Sequence, residues 1–243
     1  MKKSIFIAAL LSLFFCLFFF PACEGESTHL NQDRIYTSYE LYYNGNTDKT
    51  YAQASFKLGN KYGTLLKLGG NSSIGFTIGD SIYDPDPLTF MDEYGFYQKV
   101  LSGYLSLGVF YFTDEDGNQY TNSISFSSIT LPDTIAPIIR ENSWQLSWDV
   151  LYTHQQIALK ENESFTITLK EIADGDIHSF HQFEEGAESI VLDNDETSAL
   201  DPGTYTLILD RRYQPELSQQ TGAGGTITGR YRPANCTVEV IEE

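Results

Sequence analysis

Hydrophobic and polar residues alternate with a period of two along most of the chain from Ile35 onward. Side chains two residues apart share one face of a strand, so each apolar stripe predicts one side of a half-buried antiparallel strand. No segment shows convincing helical periodicity, and the chain is therefore predicted to be all-β. The stripes lie at 52–58, 74–78, 105–111, 144–150, 165–169, 205–209 and 236–240.

Two prolines, Pro132 and Pro137, divide the stripes into two groups. Proline removes a ladder donor and favours extended backbone, so we expect a strand to end here and a short, semi-rigid linker to follow over 133–137. The flanking segments, 34–132 and 138–243, each have about the roughly 100 residues of an immunoglobulin-type sandwich. We therefore predict two consecutive antiparallel sandwiches, with a single two-sheet domain across both segments as the alternative.

A local motif in the second segment supports the sandwich. The run Asp201-Pro202-Gly203-Thr204-Tyr205 resembles the D-x-G-x-Y start of a late strand in Ig-like and fibronectin-III-like domains. That resemblance implies a tyrosine corner, in which the Tyr205 hydroxyl bonds back to the corner while the ring fills the core. Tyr104 and Tyr120 are the candidates for this part in the first segment, which is assigned by its size and alternation alone.

The N-terminus has the layout of an export signal. Lys2 and Lys3 precede an apolar run over 5–20, which is short for a membrane span. Its end, Phe20-Pro21-Ala22-Cys23, resembles a bacterial lipobox, which implies that 1–22 is a signal peptide and that Cys23 is lipidated. Polar residues up to 33 then predict a flexible tether. The alternative is cleavage after Gly25.

A further resemblance concerns where in the cell the protein is located. The Phe-rich signal and the Tyr-, Asn- and Asp-rich body resemble lipoproteins of the Bacteroidota, and Glu24 after the cysteine favours anchoring in the outer membrane of the cell envelope. Cys236 lies on an apolar stripe, so we expect a buried core residue rather than a reactive thiol. If Cys23 were not lipidated, a disulfide with Cys236 would be the alternative.

The net charge of the chain limits the classes of partner that we expect it to bind. The formal net charge of −18 becomes −20 when the signal and its two lysines are removed. A field of this sign repels phosphate backbones, so nucleic acid is not an expected partner. The expected partners are the membrane, through the lipid anchor, and a glycan or another envelope protein.

The sequence gives little support for a catalytic or metal-binding site. His178 and His181 have an H-x-x-H spacing, but on a strand they would point to opposite faces, and no third ligand follows at a zinc-like spacing. The run at 114–118 fails the spacing of an EF-hand calcium loop and fits an Asp-Gly hairpin turn. We predict no catalytic residue, no bound metal and no cofactor.

Tyrosine is the remaining signal, with 16 in the chain. Tyr83, Tyr94 and Tyr97 surround an acidic, proline-containing segment and are the candidates for a platform that stacks on sugar rings. The alternative is that they reflect ordinary β-propensity. The leading expectation is a non-enzymatic, lipid-anchored envelope protein whose β-sandwiches serve structural or adhesive interaction. A glycan-binding lipoprotein is second, and a hydrolase of unknown substrate is third.

Overall fold

The computed structural model describes residues 25–79, 85–132, 134–148 and 158–242. The signal peptide, Cys23, Tyr83 and Asp133 lie outside these ranges. Nearly all regular structure in them is strand, which confirms the all-β prediction. In chain order the strands are β1 Gly25–Glu26, β2 Ile35–Asn44, β3 Lys49–Leu58, β4 Leu65–Lys67, β5 Ser73–Ile78, β6 Asp86–Pro87, β7 Thr89–Met91, β8 Phe96–Ser102, β9 Leu107–Thr113, β10 Gln119–Ser125, β11 Ile138–Ile139, β12 Trp144–Ser147, β13 Glu163–Glu171, β14 Ile177–Gln182, β15 Ser189–Leu192, β16 Gly203–Tyr213, β17 Gly225–Arg232 and β18 Cys236–Ile241.

Two short helices accompany the strands: a 3-10 helix at Gln32–Arg34 and the α-helix α1 at Asn194–Ser198. Sequence analysis did not predict α1, because five residues are too few to show a helical period. Its start is fixed by a capping box. The Asp193 side chain accepts from the Glu196 backbone N–H, and the Glu196 side chain accepts from the Asp193 N–H.

The described strands form three sheets. The largest has twelve strands, with the central order β1-β4-β3-β2-β17-β16-β13-β14 and with β7, β8, β11 and β18 attached beside this path. The second sheet has the order β10-β9-β5-β6, and the third pairs β12 with β15. Neighbours along these sheets are antiparallel apart from the parallel pairs β1–β4, β11–β18 and β2–β17.

Each half buries its apolar stripes between two layers. In the first half Tyr39 of β2 stacks on Phe110 of β9 with ring centroids 5.1 Å apart. In the second half Trp148 stacks on Phe165 of β13 at 3.7 Å. These contacts join the large sheet to the second sheet and to the β12 side of the third, which is the sheet-on-sheet packing of a sandwich.

The two halves share the large sheet through β2 and β17. Over its whole length β17 pairs in parallel with residues 37–44 of β2, and its end pairs antiparallel with residues 211–213 of β16. The linker boundary at 133–137 stays a prediction, and a single two-sheet domain was the alternative that the sequence left open. What the alternation did not predict is that strands from both segments form one sheet.

Side chains hold both ends of this connection. Beyond β17, Pro233 lacks a ladder donor, and Asn235 exchanges hydrogen bonds with Asn46 in the β2–β3 turn at 2.9 and 3.0 Å. Before β17, Gln219 exchanges hydrogen bonds with Asn122 of β10, also at 2.9 and 3.0 Å. The loops that flank β17 are therefore attached to the first half as well.

An aromatic cluster packs beneath the connection. We call Tyr43, Tyr104, Phe126 and Tyr231 the junction cluster. The Tyr231 ring of β17 lies 5.0 Å from the Tyr43 ring of β2 and 5.2 Å from Tyr104, and Tyr104 lies 5.8 Å from Phe126. The Tyr104 hydroxyl donates to the Phe126 carbonyl. The cluster therefore draws rings from three segments of the first half and one of the second.

The N-terminal segment departs from the predicted flexible tether. From Gly25 onward it packs on the body, with β1 paired to β4. Ser27 is buried and its hydroxyl accepts the Gly69 N–H at 3.0 Å, while the buried Gln32 amide donates to the Ser27 carbonyl at 3.0 Å. From Gly25 onward these contacts attach the segment to the body, and polar composition gave no sign of such specific partners.

Gly229 tests the packing of the junction. A Cβ at this position of β17 would lie 2.7 Å from the Phe126 ring. Gly229→Ala should therefore lower the free energy of unfolding by about 1–3 kcal/mol, measured by urea denaturation. The control is Thr228→Ala, whose side chain points to the other face of β17. Equal stability of wild type and Gly229→Ala would contradict the packing described.

Tyr104 tests the junction by pH. Burial raises its pKa to about 12, so above about pH 10 the folded state retains a proton that the unfolded chain loses. The free energy of unfolding should therefore fall as the pH rises from about 10 to about 12. Tyr104→Phe should make this decline shallower and cost about 0.5–1.5 kcal/mol at neutral pH through the lost hydrogen bond. Urea denaturation across this pH range measures both.

The control is the exposed Tyr62. At neutral pH, Tyr62→Phe should leave the free energy of unfolding unchanged, because it removes only an exposed hydroxyl. A Tyr104→Phe variant with the same decline as wild type above pH 10 would contradict the assignment of a buried hydroxyl at the junction.

Candidate functional site

The outer face of the large sheet, which points away from the core, carries a row of polar and aromatic side chains across the junction. Arg230 of β17 places its guanidinium carbon 3.7 Å from the ring centre of Tyr42 on β2, and Tyr42 stacks on Tyr51 of β3 at 5.7 Å. Arg230 also lies 3.4 Å from Glu40. A cation over an aromatic face is attractive, so these contacts couple three adjacent strands on the outer face.

Arg232 continues the same row. It donates two hydrogen bonds to the Asp210 carboxylate of β16, and this contact is the main cause that raises the pKa of Arg232. Its guanidinium also lies 5.9 Å from the Tyr42 ring. Each of these two arginines is therefore held by a carboxylate and an aromatic ring. A planar guanidinium can pair with the carboxylate and stack on the ring, which is why such a position favours arginine over lysine.

A groove of about 360 Å³ lies at the first-half end of this face. We call it the Tyr94 groove. Its lining combines two aromatic rings with polar side chains from β2 and β3, among them Glu40, Gln53, Ser55, Lys57, Tyr94 and Phe96. Hydroxyl, amide and charged groups beside an exposed ring are the donors and acceptors that a sugar or a polar peptide can use.

Tyr94 reaches the groove through a tight turn between β7 and β8. The N–H groups of Tyr94 and Gly95 both donate to the Met91 carbonyl, at 2.9 and 2.8 Å. Gly95 has φ of 68°, a left-handed conformation that favours glycine. The turn leaves the Tyr94 side chain 61% exposed and stacked on Phe96 at 5.8 Å with an interplanar angle of 26°.

Tyr97 does not belong to this platform. Strand alternation puts it on the opposite face of β8 from Phe96, where it is only 7% exposed and packs on Phe56 and Phe90. Its hydroxyl accepts the Leu68 N–H at 2.7 Å. Tyr97 is therefore a core residue whose ring is covered, and its predicted role in ligand binding stays a prediction that this placement does not favour. Tyr83 lies outside the described residues, so of the three candidates Tyr94 alone is described with an exposed ring.

Tyr205 occupies the predicted corner. It is fully buried at the start of β16, and its hydroxyl donates to the Asp201 carbonyl at 2.9 Å. Burial is the main cause that raises its pKa. In the first half, the Tyr104 hydroxyl also donates to a backbone carbonyl, that of Phe126, and this hydrogen bond lies within the junction cluster.

His178, His181 and Cys236 are not arranged as a metal site with other described residues. His181 bonds to the Thr166 hydroxyl at 2.9 Å, whereas His178 approaches the Tyr205 ring from the other face of β14. In the described ranges no group of three or more His, Cys, Asp or Glu side chains is placed to hold a metal ion. Cys236 is half-buried with a raised thiol pKa, and its pairing with Cys23 lies outside what is described.

A second depression, which the sequence did not indicate, lies on the second-half side of the outer face. We call it the Arg212 depression. Its volume is about 350 Å³, and β13, β14, β16 and β17 contribute its lining. In the sequence, the only indication of this depression is that alternate residues of these strands are polar. Alternation does not reveal which strands are neighbours, so the depression could not be predicted. The lining residues are Ser164, Thr166, His181, Phe183, Asp210, Arg212 and Arg230.

Comparisons with known proteins add little to this geometry. No protein-family model matches the chain. No curated protein matches it. Within the part of the chain that is described, no helix combines the length and apolar character needed to span a membrane.

Two of the solved structures that are similar to this chain both have low TM-scores. One, described as a cytokine receptor complex, is 11% identical over 84% of this chain and 95% of its own, with a TM-score of 0.28. The other, the FN1–FN3 domains of chicken CNTN1, is 7% identical over 85% of this chain and 67% of its own, with a TM-score of 0.29. Neither similarity bears on function, and the all-β fold rests on the strands and their pairing.

Proposed function

We propose that the protein is a non-enzymatic, lipid-anchored protein of the cell envelope that presents its β-sandwich body for structural or adhesive interaction. The observation that carries this proposal is the continuous large sheet, whose polar and aromatic outer face extends from the first half into the second. Both candidate sites on it are surface depressions, which suit contact with an extended partner.

The N-terminal packing adds a consequence to the proposed anchor. The body begins at Gly25 with the β1–β4 pair, so a lipid on Cys23 would be separated from it by Glu24 alone. At about 3.5 Å per extended residue, this spacing holds the β1 end of the body close to the membrane surface. The protein would then present its surfaces at short range rather than on a long stalk.

A second candidate function is glycan binding at the Tyr94 groove. The observation that favours it is the exposed Tyr94–Phe96 stack beside the polar side chains of β2 and β3. An exposed aromatic pair covers the apolar face of a sugar ring, while amide and charged groups bond its hydroxyls. Glu40 is already paired with Arg230, and Lys57 donates to the Lys61 carbonyl, so the groove suits a neutral sugar rather than a charged one.

The anchor is tested by Cys23→Ser. The variant should move from the membrane fraction to the soluble fraction, because the serine hydroxyl cannot form the thioether, and far-UV circular dichroism should show an unchanged fold. Cys236→Ser, which keeps the proposed lipid attachment, is the control and should remain with membranes. A Cys23→Ser protein that stays membrane-bound would refute the proposed anchor.

Glycan binding is tested by Tyr94→Ala. Affinity electrophoresis in gels containing neutral polysaccharides should show retardation of the wild type and about tenfold weaker binding by the variant. Tyr62→Ala is the matched control, because Tyr62 is 84% exposed but does not line the groove. Retardation that Tyr94→Ala leaves unchanged, or no retardation of the wild type by any neutral polysaccharide, would contradict this second function.

A further inference from the structure

The Arg212 depression contains an exposed guanidinium that no carboxylate neutralises in the described part of the chain. Four arginines lie on β16 and β17, and the other three have acidic partners: Arg211 with the buried Glu163, Arg230 with Glu40, and Arg232 with Asp210. Arg212 points outward from β16 into the depression. In a chain with an excess of acidic residues, an uncompensated arginine in a concave site is a local attraction for an anion.

An exposed aromatic ring stands beside this charge. Phe183, just beyond the edge strand β14, is 68% exposed and stacks on the His181 ring at 5.7 Å with an interplanar angle of 20°. Thr166 holds the His181 ring through a 2.9 Å hydrogen bond. The stack is thus fixed from below and presents an apolar face to solvent, which is a surface that a ligand ring can cover.

Hydroxyl groups and a fixed carboxylate complete the lining. Ser164 and Thr166 point into the depression from β13, and Asp210 is held there by Arg232. A neighbouring hollow of about 440 Å³ shares Ser164, Phe183 and Arg212 with the first. The two hollows meet at the ring and the free guanidinium, so the combined surface can hold more than one unit of a chain-like ligand.

We propose that the Arg212 depression binds an acidic glycan, with a uronic acid residue at its centre. The Arg212 guanidinium binds the uronate carboxylate, the Phe183 ring covers the apolar face of the pyranose, and Ser164, Thr166 and Asp210 bond its hydroxyls. An acidic peptide fits less well, because it has no sugar ring to cover Phe183 and lacks the hydroxyl groups that donate to the Asp210 carboxylate. The site deepens the proposed role in interaction but uses none of the residues of the Tyr94 groove.

Calorimetric titration with matched ligands tests this proposal. The probes are trigalacturonate, its fully methyl-esterified form, which has the same rings without charge, and triglutamate as the peptide alternative. At low salt the protein should bind trigalacturonate, and the methyl ester and triglutamate should each bind at least about tenfold more weakly. Added salt should weaken trigalacturonate binding through screening.

Variants locate the site. Arg212→Gln should weaken trigalacturonate binding about tenfold or more, and Phe183→Ala should do the same for both the acid and its ester. Arg34→Gln changes the net charge equally at another exposed arginine, and Ile177→Ala removes another exposed apolar side chain of the β14 region; both should bind like the wild type.

The outcomes separate this proposal from the glycan function of the Tyr94 groove. Tyr94→Ala should leave trigalacturonate binding unchanged, so a loss in that variant would place the acidic sugar in the other groove and overturn the assignment. Equal binding by Arg34→Gln and Arg212→Gln, tighter binding of triglutamate than of the sugar, or no binding of trigalacturonate would each overturn it as well.

Discussion

The parallel ladder between β2 and β17 is the interaction on which the rest of the structure depends. It joins a strand near the start of the body to a strand near its end, and the junction cluster beneath it fills the space with tyrosine and phenylalanine rings. Closing such a long loop costs chain entropy, which the ladder and the buried rings together must offset. Without this pairing, the outer faces of the two halves would be separate surfaces.

Because the sheet is continuous, both candidate sites lie on one face. Glu40 lines the Tyr94 groove, Arg230 lines the Arg212 depression, and the two side chains lie 3.4 Å apart across the β2–β17 ladder. The proposed neutral-sugar groove and the proposed acidic-sugar depression therefore adjoin on one continuous sheet. If both proposals hold, this arrangement would suit an extended, mixed glycan better than two unrelated small ligands.

The sequence predicted the parts of the fold that depend on local pattern. Alternation indicated the strands β3, β5, β9, β12, β13, β16 and β18 but not β17, and the run before Tyr205 indicated the corner hydrogen bond. It could not predict the β2–β17 pairing, because partners about 190 positions apart leave no local signal. The burial of Tyr97 was not predicted, because aromatic residues occupy both faces of β8 and composition does not tell which face is buried. The sequence did not indicate Arg212, because whether its charge stands out depends on which neighbouring arginines pair with acidic residues in the folded sheet.

Native-state hydrogen exchange of the β2 and β17 backbone amides measures whether the parallel ladder opens on its own or with the whole sheet. If the ladder joins both halves into one cooperative sheet, its hydrogen-bonded amides should exchange only through global unfolding, with the same free energy of opening as those of β13 and β16. Exchange of the β17 amides through a local opening, at a free energy well below that of the β13–β16 amides, would contradict the account.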